Sequence, residues 1–557
     1  MTFDLDYVRG QIVGRDLAFP TPFGPRHMLY ADFTASGRSL HFIEKTLLEI
    51  QKSYANTHTE DDYSGTFSTR LLQAAEDKIK RMVNAGPGGK IIPIGSGTTG
   101  ALKKLQEIIG VYIPPAMRAR IEHGIQHSGC SIPAVRSALN GQRPVVFIGP
   151  YEHHTNELMW REAWVEVVVV GFDPTGLLDL RDLENKLKDP RYRGRDKIVS
   201  ISAGSNITGI RTPVYDVARI GHAHDALVFF DFAAVAPYVE IDMNRDADSG
   251  FDAVFFSPHK FLGGPGSSGI LVFRERIYRR DLPPTAAGGG TVVYVGHEHH
   301  DFSDDIEARE KAGTPPVLQT IKAALAMEVK ERIGVKQIEK IEAEHTASFQ
   351  QRLRRIPHIV PIGNADPGAC VSIVSFNIKH RGRILHPKFV TRLLNDLFGI
   401  QSRAGCSCAG PYGHVLLNID RENARRLRTG IQRGSGGLKP GWVRINLHYT
   451  FSREDIDFLL DAIDFVARSG FRFLPLYAFD MSSGKWSHRA FKTPTPDLSL
   501  DQDFSSLSVD LSSLSGLRKD YLRLAAQAAS ELSDVPESAY KRDSSEIEAL
   551  KYFDYLE

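Results

Sequence analysis

Between about residue 90 and residue 275 the chain repeats one pattern, a run of four to six nearly uninterrupted apolar residues followed by a polar or amphipathic connection. Val145-Val146-Phe147-Ile148, Val165 to Val170, Ile198 to Ser202, Leu227 to Phe230 and Ala253 to Phe256 are such runs. A strand that is apolar at almost every position, and not at every second one, needs cover on both faces. Crossover helices on either side of a mostly parallel sheet supply that cover. Asp179 to Asp189 and Tyr215 to Asp225 have the length and polarity of such crossovers. The predicted architecture is a doubly wound α/β domain.

Beyond residue 313 the pattern changes. Leu318, Ile321, Leu325 and Val329 recur at helical spacing, with Gly334 as the stop. Residues 338–470 read as an α+β unit that closes with Ser452-Arg453-Glu454-Asp455, an N-cap, ahead of Ile456, Leu459, Leu460 and Ile463 on one helical face. Residues 481–517 are rich in Ser, Asp and Leu without clear period and read as a linker or loosely ordered wrap. Tyr521 to Glu531 predicts a last helix. The expected division is an N-terminal segment, 1–45, packing with the small domain; a large α/β domain, 46–330; a small α+β domain, 331–470; and an extension, 471–557.

The 557 residues carry 68 basic against 67 acidic side chains, which argues against a nucleic-acid or membrane-surface partner. Met1 to Gly10 has no apolar signal core, and no stretch reaches the roughly 18 apolar residues of a membrane span. The four cysteines, Cys130, Cys370, Cys406 and Cys408, are too few for a disulfide framework. The expected setting is cytoplasmic and reducing.

Four segments carry chemistry. Ile91 to Ala101 reads as strand, Gly-rich turn and helix start, with Thr98 and Thr99 as extra donors for an anion at the helix N-terminus. The glycines also satisfy a dinucleotide pattern, but Pro114 to Arg120 stands where its acidic residue belongs. Phe229-Phe230-Asp231 ends an apolar strand in a carboxylate, which calls for a cation such as a pyridinium nitrogen, or for a plain capping role. Phe255-Phe256-Ser257-Pro258-His259-Lys260 ends a strand in a lysine; burial would free its amine for imine formation, whereas a solvated lysine would do nothing. Tyr151-Glu152-His153-His154-Thr155-Asn156 offers an imidazole to stack on a flat ring. Neither this His pair nor His297-Glu298-His299-His300 makes a tetrahedral ligand set, so no metal is expected.

Together these segments resemble the class V aminotransferase family of fold-type I pyridoxal-phosphate (PLP) enzymes, particularly its cysteine desulfurase and selenocysteine lyase branch. The likeness runs from Tyr30-Ala31-Asp32-Phe33-Thr34-Ala35-Ser36-Gly37 to Asp457. It implies a seven-stranded, mostly parallel sheet in the large domain. It makes Lys260 the Schiff-base lysine, Asp231 the partner of the ring nitrogen, and His153 the stacking and catalytic histidine. Asn206, in Ser205-Asn206-Ile207-Thr208-Gly209, would lie near ring hydroxyl and substrate. Thr98, Thr99, Ser257 and His259 would hold the phosphate. Thr314 would reach the phosphate of a partner subunit, which implies a homodimer. One departure is Ala234, where the family often has a glutamine for the ring hydroxyl.

Arg403-Ala404-Gly405-Cys406-Ser407-Cys408-Ala409-Gly410-Pro411 resembles the desulfurase loop, with Cys408 at the nucleophile position. Arg403 and Arg444 match substrate-binding arginines, Arg444 holding the carboxylate of a small amino acid. A sulfur-acceptor protein would follow from that chemistry. Cys406-Ser407 replaces the usual histidine pair, and a basic insertion, Arg421 to Lys439, separates Cys408 from Arg444. A thiol-independent epimerase or lyase of the isopenicillin N epimerase type, and a non-catalytic scaffold, are the alternatives.

Overall fold

The structure, a computed structural model, describes residues 3–57, 59–127, 143–363, 366–502 and 506–556; Cys130 lies outside them. The chain forms two compact units. One comprises Met1–Asp4, Ser36–Ser205 and Ile210–Lys336; the other comprises Leu5–Ala35, Asn206–Gly209 and Gln337–Glu557. Among the described residues, no helix is long and apolar enough to cross a membrane.

The first unit contains helix α1 (Tyr63–Met82), strand β1 (Gly89–Ile94), helix α2 (Gly97–Ile108), β2 (Val145–Ile148), α3 (His154–Glu162), β3 (Glu166–Val169), β4 (Lys197–Ser202), β5 (Ala226–Asp231), β6 (Ala253–Phe256), β7 (Gly269–Arg274) and α4 (Val317–Ile333). The seven strands form one sheet in the order β1-β7-β6-β5-β4-β2-β3. The five strands β6, β5, β4, β2 and β3 are parallel; β7 runs antiparallel to both neighbours. The mostly parallel sheet and its crossovers follow from the apolar runs as expected. Strand β7, Gly-Ile-Leu-Val-Phe-Arg, continues the same logic, and all its residues but Arg274 are buried. Ile92, Leu102, Leu105, Val146, Trp160, Phe229, Phe255 and Leu271 pack into one core cluster, each large side chain gaining about 1.5–3 kcal/mol on leaving water. Helix α4 packs on α1 and stops at Gly334, whose φ of +94° an L side chain resists.

This topology fixes where the loops lie. Because β1 is antiparallel to β7 and β7 to β6, the C-terminal ends of β1, β2, β4, β5 and β6 share one edge of the sheet. Ligands of open α/β sheets bind at that edge.

The second unit has a five-stranded antiparallel sheet: four strands in the order β8 (Ile359–Pro361), β9 (Ile373–His380), β11 (Trp442–Asn446), β10 (Arg403–Gly405), with the short strand Arg383–Ile384 pairing off the end of β9. Helix α5 (Pro387–Phe398) precedes β10; α6 (Gly410–Leu416) and α7 (Arg421–Gln432) fill the excursion between β10 and β11. Helix α8 (Arg453–Ser469) starts with the expected capping box, Ser452 and Asp455 bonding reciprocally. The segment Leu29–Tyr30 pairs in parallel with Ile400–Gln401. The extension is only partly the wrap expected from composition. Tyr477–Asp480 and Lys485–His488 form a hairpin, and α9 (Leu514–Glu531) begins well before Tyr521. The longest described stretch of the extension without helix or strand is 489–502, and Leu498 and Leu500 there are fully exposed. Composition hid the hairpin because its large buried residues, Tyr477 and Trp486, are separated by a polar turn, and Trp486 stands between Lys485 and Ser487. Arg518 of α9 bonds Asp455 at 2.5 Å, so one carboxylate both caps α8 and fastens the extension.

Candidate active site

In the first unit the turn after β1 opens α2 without a side-chain cap at Ser96 and without an acid in the first turn. Those amides form a positive helix end. Ser257, at the end of β6, closes one side: its Oγ accepts the Thr98 N–H at 2.8 Å and lies 2.6 Å from Thr98 Oγ1. Thr99 Oγ1 lies 2.8 Å from Thr155 Oγ1 at the start of α3. Gly97 sits at φ +63°, and a Cβ there would stand 2.9 Å from Ser257 Oγ. A cradle of neutral donors thus forms where an anion is most easily held.

Asp231 ends β5, in register with Phe255 of β6, and is buried. Burial pushes its carboxyl up to about 6, against the opposing effects of the Ala233 N–H, which it accepts at 2.8 Å, and the Lys260 charge. Lys260 follows β6 in a single helical turn, Pro258–Lys260, and is partly buried. Beside it, burial and the lysine charge push His259 down to about 4. His153 caps α3, its Nδ1 accepting the Thr155 N–H at 3.1 Å; the ring therefore carries its proton on Nε2 when neutral. Thr314 is exposed and accepts from Asn56 Nδ2 at 3.2 Å.

Under this edge lies a residue that the sequence reading passed over. Glu152 is buried and takes hydrogen bonds from the Gly149 and Ser202 amides, Ser202 Oγ and Asn156 Nδ2. Burial still pushes it up to about 7, and the Asp231 charge adds to the rise. The histidines of the Glu-His-His motif drew attention, and the glutamate that pins their loop did not.

In the second unit, β10 and β11 pair so that Arg403 stands directly opposite Arg444. Like charges directly opposite destabilise an antiparallel pair. Asp32 resolves the conflict. Its Oδ1 takes Arg444 Nη2 at 3.0 Å, while its Oδ2 takes Arg403 Nε at 2.9 Å. One carboxylate between two guanidiniums leaves one positive charge over, which suits an anionic substrate group. Arg444 Nη1 also donates to the Asn206 carbonyl at 3.0 Å, and Asn206 Nδ2 donates to the Ser407 carbonyl at 2.6 Å. The network therefore runs from the arginines to the cysteine turn. Asn206 Oδ1 and Ser407 Oγ are buried with no hydrogen-bond partner among the described residues. Asp32 escaped sequence analysis as a site residue because its role depends on the pairing of two strands far along the chain. Its one signal was a carboxylate between the buried residues Ala31 and Phe33.

The turn itself is not extended. Ser407 and Cys408 both have positive φ, +49° and +58°, so the side-to-side alternation of a strand does not apply to Cys406 and Cys408. Burial separates them instead: Cys408 is exposed and Cys406 half-buried, and both thiols are free. Among the described residues, no group of three or more His, Cys, Asp or Glu side chains could hold a metal ion.

The first unit's residues fit PLP by their chemistry. The set comprises neutral donors at an uncapped helix end, a buried carboxylate that a ring cation would relieve, a partly buried lysine and a fixed imidazole. Comparison with known proteins agrees. The aminotransferase class-V family model matches residues 125–459, more than half of the chain. A protein of Halalkalibacterium halodurans described as a probable cysteine desulfurase is 27% identical over 389 residues, 69% of this chain and 84% of its own. One so described from Methanothermobacter thermautotrophicus is 29% identical over 469 residues, 83% of this chain and 100% of its own. Among solved structures, a cysteine desulfurase of Thermococcus onnurineus in its apo form shares the fold with a TM-score of 0.64 at 22% identity, covering 83% of this chain and 98% of its own. The chain therefore belongs to the aminotransferase class-V family and is a PLP-dependent enzyme of it.

Proposed function

We propose that this enzyme is a cysteine desulfurase, with selenocysteine as the related substrate, and that Cys408 receives the sulfur. The observation that carries this reading is the exposed thiol on a left-handed turn, tied through Asn206 to the arginine that would hold a substrate carboxylate. The description of the relatives as probable cysteine desulfurases supports it.

Lys260 would anchor the cofactor, with Asp231 facing the ring nitrogen, His153 covering the ring, and Thr98, Thr99, Ser257 and His259 at the phosphate. Bound PLP supplies an electron sink for the pair left at the substrate's α carbon. Arg444 and Arg403 hold the substrate carboxylate at the spacing that Asp32 sets, and Asn206 orients the amino-acid end. Lys260 Nζ moves the α proton. Cys408 Sγ, as thiolate, attacks the substrate sulfur; the carbon–sulfur bond breaks, and alanine leaves while Cys408 keeps a persulfide. Two copies would form the working enzyme, with the exposed Thr314 and the exposed apolar strand Val293, Tyr294 and Val295 as candidates for the contact. The free thiols suit a reducing compartment such as the cytoplasm.

The test is alanine and sulfide release from cysteine by wild type, Cys408→Ala and Cys406→Ala, with cofactor absorbance recorded for each. Cys408→Ala should abolish release and keep the absorbance, whereas Cys406→Ala should lose little. Undiminished turnover of cysteine by Cys408→Ala would overturn the thiol mechanism and favour the epimerase-type alternative.

A further inference from the structure

The connection between β10 and β11 leaves the sheet at Gly405 and returns at Trp442, which are paired neighbours. Everything between is one excursion whose root holds Cys406, Ser407 and Cys408. Its outer part is α7, which starts only thirteen residues after Cys408. The helix is held firmly: Asp420 caps it, bonding the Asn423 amide; Leu427 is buried, and the helix backs onto the turn Gly436–Leu438 and the short helix Ser545–Leu550.

Its other faces carry charge of one sign. Arg421, Arg425, Arg426, Arg428 and Arg433 fall within thirteen positions, against Glu422 and the capping Asp420. All five are exposed. Arg433 pairs with Glu546 at 3.1 Å; among the described residues the other four have no ion pair. Arg421, Arg425 and Arg428 lie at i, i+4 and i+7 and so share one face, where like charges repel. In a chain whose net charge is +1, this is a concentrated, self-repelling and rigidly presented patch. A helix of twelve residues is only about 18 Å long, too short to make the extended path that a nucleic-acid backbone follows.

We propose that the outer face of α7 docks an acidic protein, and that this partner takes the sulfur from Cys408. The proposal rests on the desulfurase reading and deepens it. An acidic surface seated on α7 relieves the repulsion among the arginines and is steered to them over distance. Sulfur transfer then needs no further oxidant. The partner's cysteine thiolate attacks the outer sulfur of the Cys408 persulfide; a new sulfur–sulfur bond forms as the old one breaks, and Cys408 leaves as a thiolate. One persulfide and one thiolate enter, and one of each leave.

The probe is a Glu-rich peptide with a single cysteine and a fluorophore, beside a peptide with Gln for each Glu. The protein is the full-length holoenzyme, as wild type, with Arg421, Arg425 and Arg428 all changed to Glu, and with Arg181, Arg193 and Arg355 changed to Glu as an exposed control. Wild type and control should bind the acidic peptide by anisotropy and pass labelled sulfur to it; the α7 variant should bind about tenfold more weakly and transfer correspondingly less. Sulfide release to a small thiol should be equal in all three. Equal binding by the α7 variant and the control, or equal transfer to the two peptides, overturns the docking site. Preferential binding of an RNA oligomer by wild type overturns the partner class. No sulfide release to the small thiol by any of the three defeats the desulfurase reading instead, while anisotropy still reports on the patch.

Discussion

The two units solve the placing of polar chemistry in different ways. In the first, the proposed cofactor cradle is built from neutral groups at the ends of buried strands, and hydroxyls and amides hold one another: Thr98 to Ser257, Thr99 to Thr155, His153 to its own helix. In the second, the groups are charged, two arginines face each other, and one carboxylate, Asp32, decides their geometry. The first arrangement tolerates the loss of a member better, because what it leaves unpaired is a neutral hydroxyl or amide. The second does not, since removing Asp32 leaves a buried guanidinium, Arg444, opposite another. Cofactor retention and substrate handling should therefore fail separately.

The largest effect expected is that of Lys260→Ala, which should lose the borohydride-reducible adduct and nearly all turnover, more than about a thousandfold. Circular dichroism and melting should stay close to wild type, because the side chain is only partly buried. A reducible adduct in this variant would break the assignment of the first unit.

Asp32→Asn sharpens the contrast from the other side. It keeps the shape and removes the charge between Arg403 and Arg444, so kcat/KM for cysteine should fall about 10- to 100-fold, or about 1.4–2.7 kcal/mol. Cofactor absorbance should be unchanged. Loss of cofactor at the same time would show that the two sets are not independent. Asp32→Ala should also lower Tm.

The last effect is read in the stability of the apoprotein and belongs to Asp231. Its carboxyl is raised in the folded state to about 6, above the ordinary carboxylate value near 3.9. Folding therefore favours the protonated form. The associated stability is fully present below about pH 4 and is lost as pH rises through about 6, a difference on the order of 2–3 kcal/mol. Asp231→Asn should thus make the apoenzyme more stable than wild type above pH 6, by denaturant melting, while costing activity. Glu152, raised to about 7 by burial, adds a loss of the same sign that begins above the ordinary carboxylate value near 4.3 and continues to about pH 7. An Asp231→Asn apoenzyme less stable than wild type at pH 7 would refute the burial argument.

What the sequence disclosed follows the same division. The parallel strands were legible because burial on both faces writes itself as a continuous apolar run, as in Phe229-Phe230 and Phe255-Phe256. Asp231, Lys260 and His153 stood out as candidates because each lies at or a few residues beyond the end of an apolar run, and those runs are strands β5, β6 and β2. The Ser452 capping box was legible because it is local. Asp32 was not, since its partners are 371 and 412 residues away, and no local pattern encodes a strand register. The left-handed turn at Ser407 and Cys408 was hidden for a related reason: neither residue is glycine, and surrounding structure imposes the conformation. The hairpin at Tyr477–His488 was hidden by the polar residues around its turn and in its second strand, Asp480, Ser482, Ser483, Lys485 and Ser487.

The second unit is assembled from widely separated stretches of chain, and that has a bearing on how it is made. Leu29 and Tyr30 pair with Ile400 and Gln401, and the amide of His27 donates to Tyr521, 494 residues later. At a synthesis rate of about 5–20 residues per second, the ribosome needs roughly half a minute to a minute and a half to cover that interval. The first unit can close during the wait, since by Lys336 all its segments have been made. The segment from Leu5 to Ala35 cannot. Its Leu29, Ala31 and Phe33, buried at the end, must stay in water, or on a chaperone, until the last quarter of the chain emerges. For this protein the slow event in biogenesis is the late capture of its earliest-made residues.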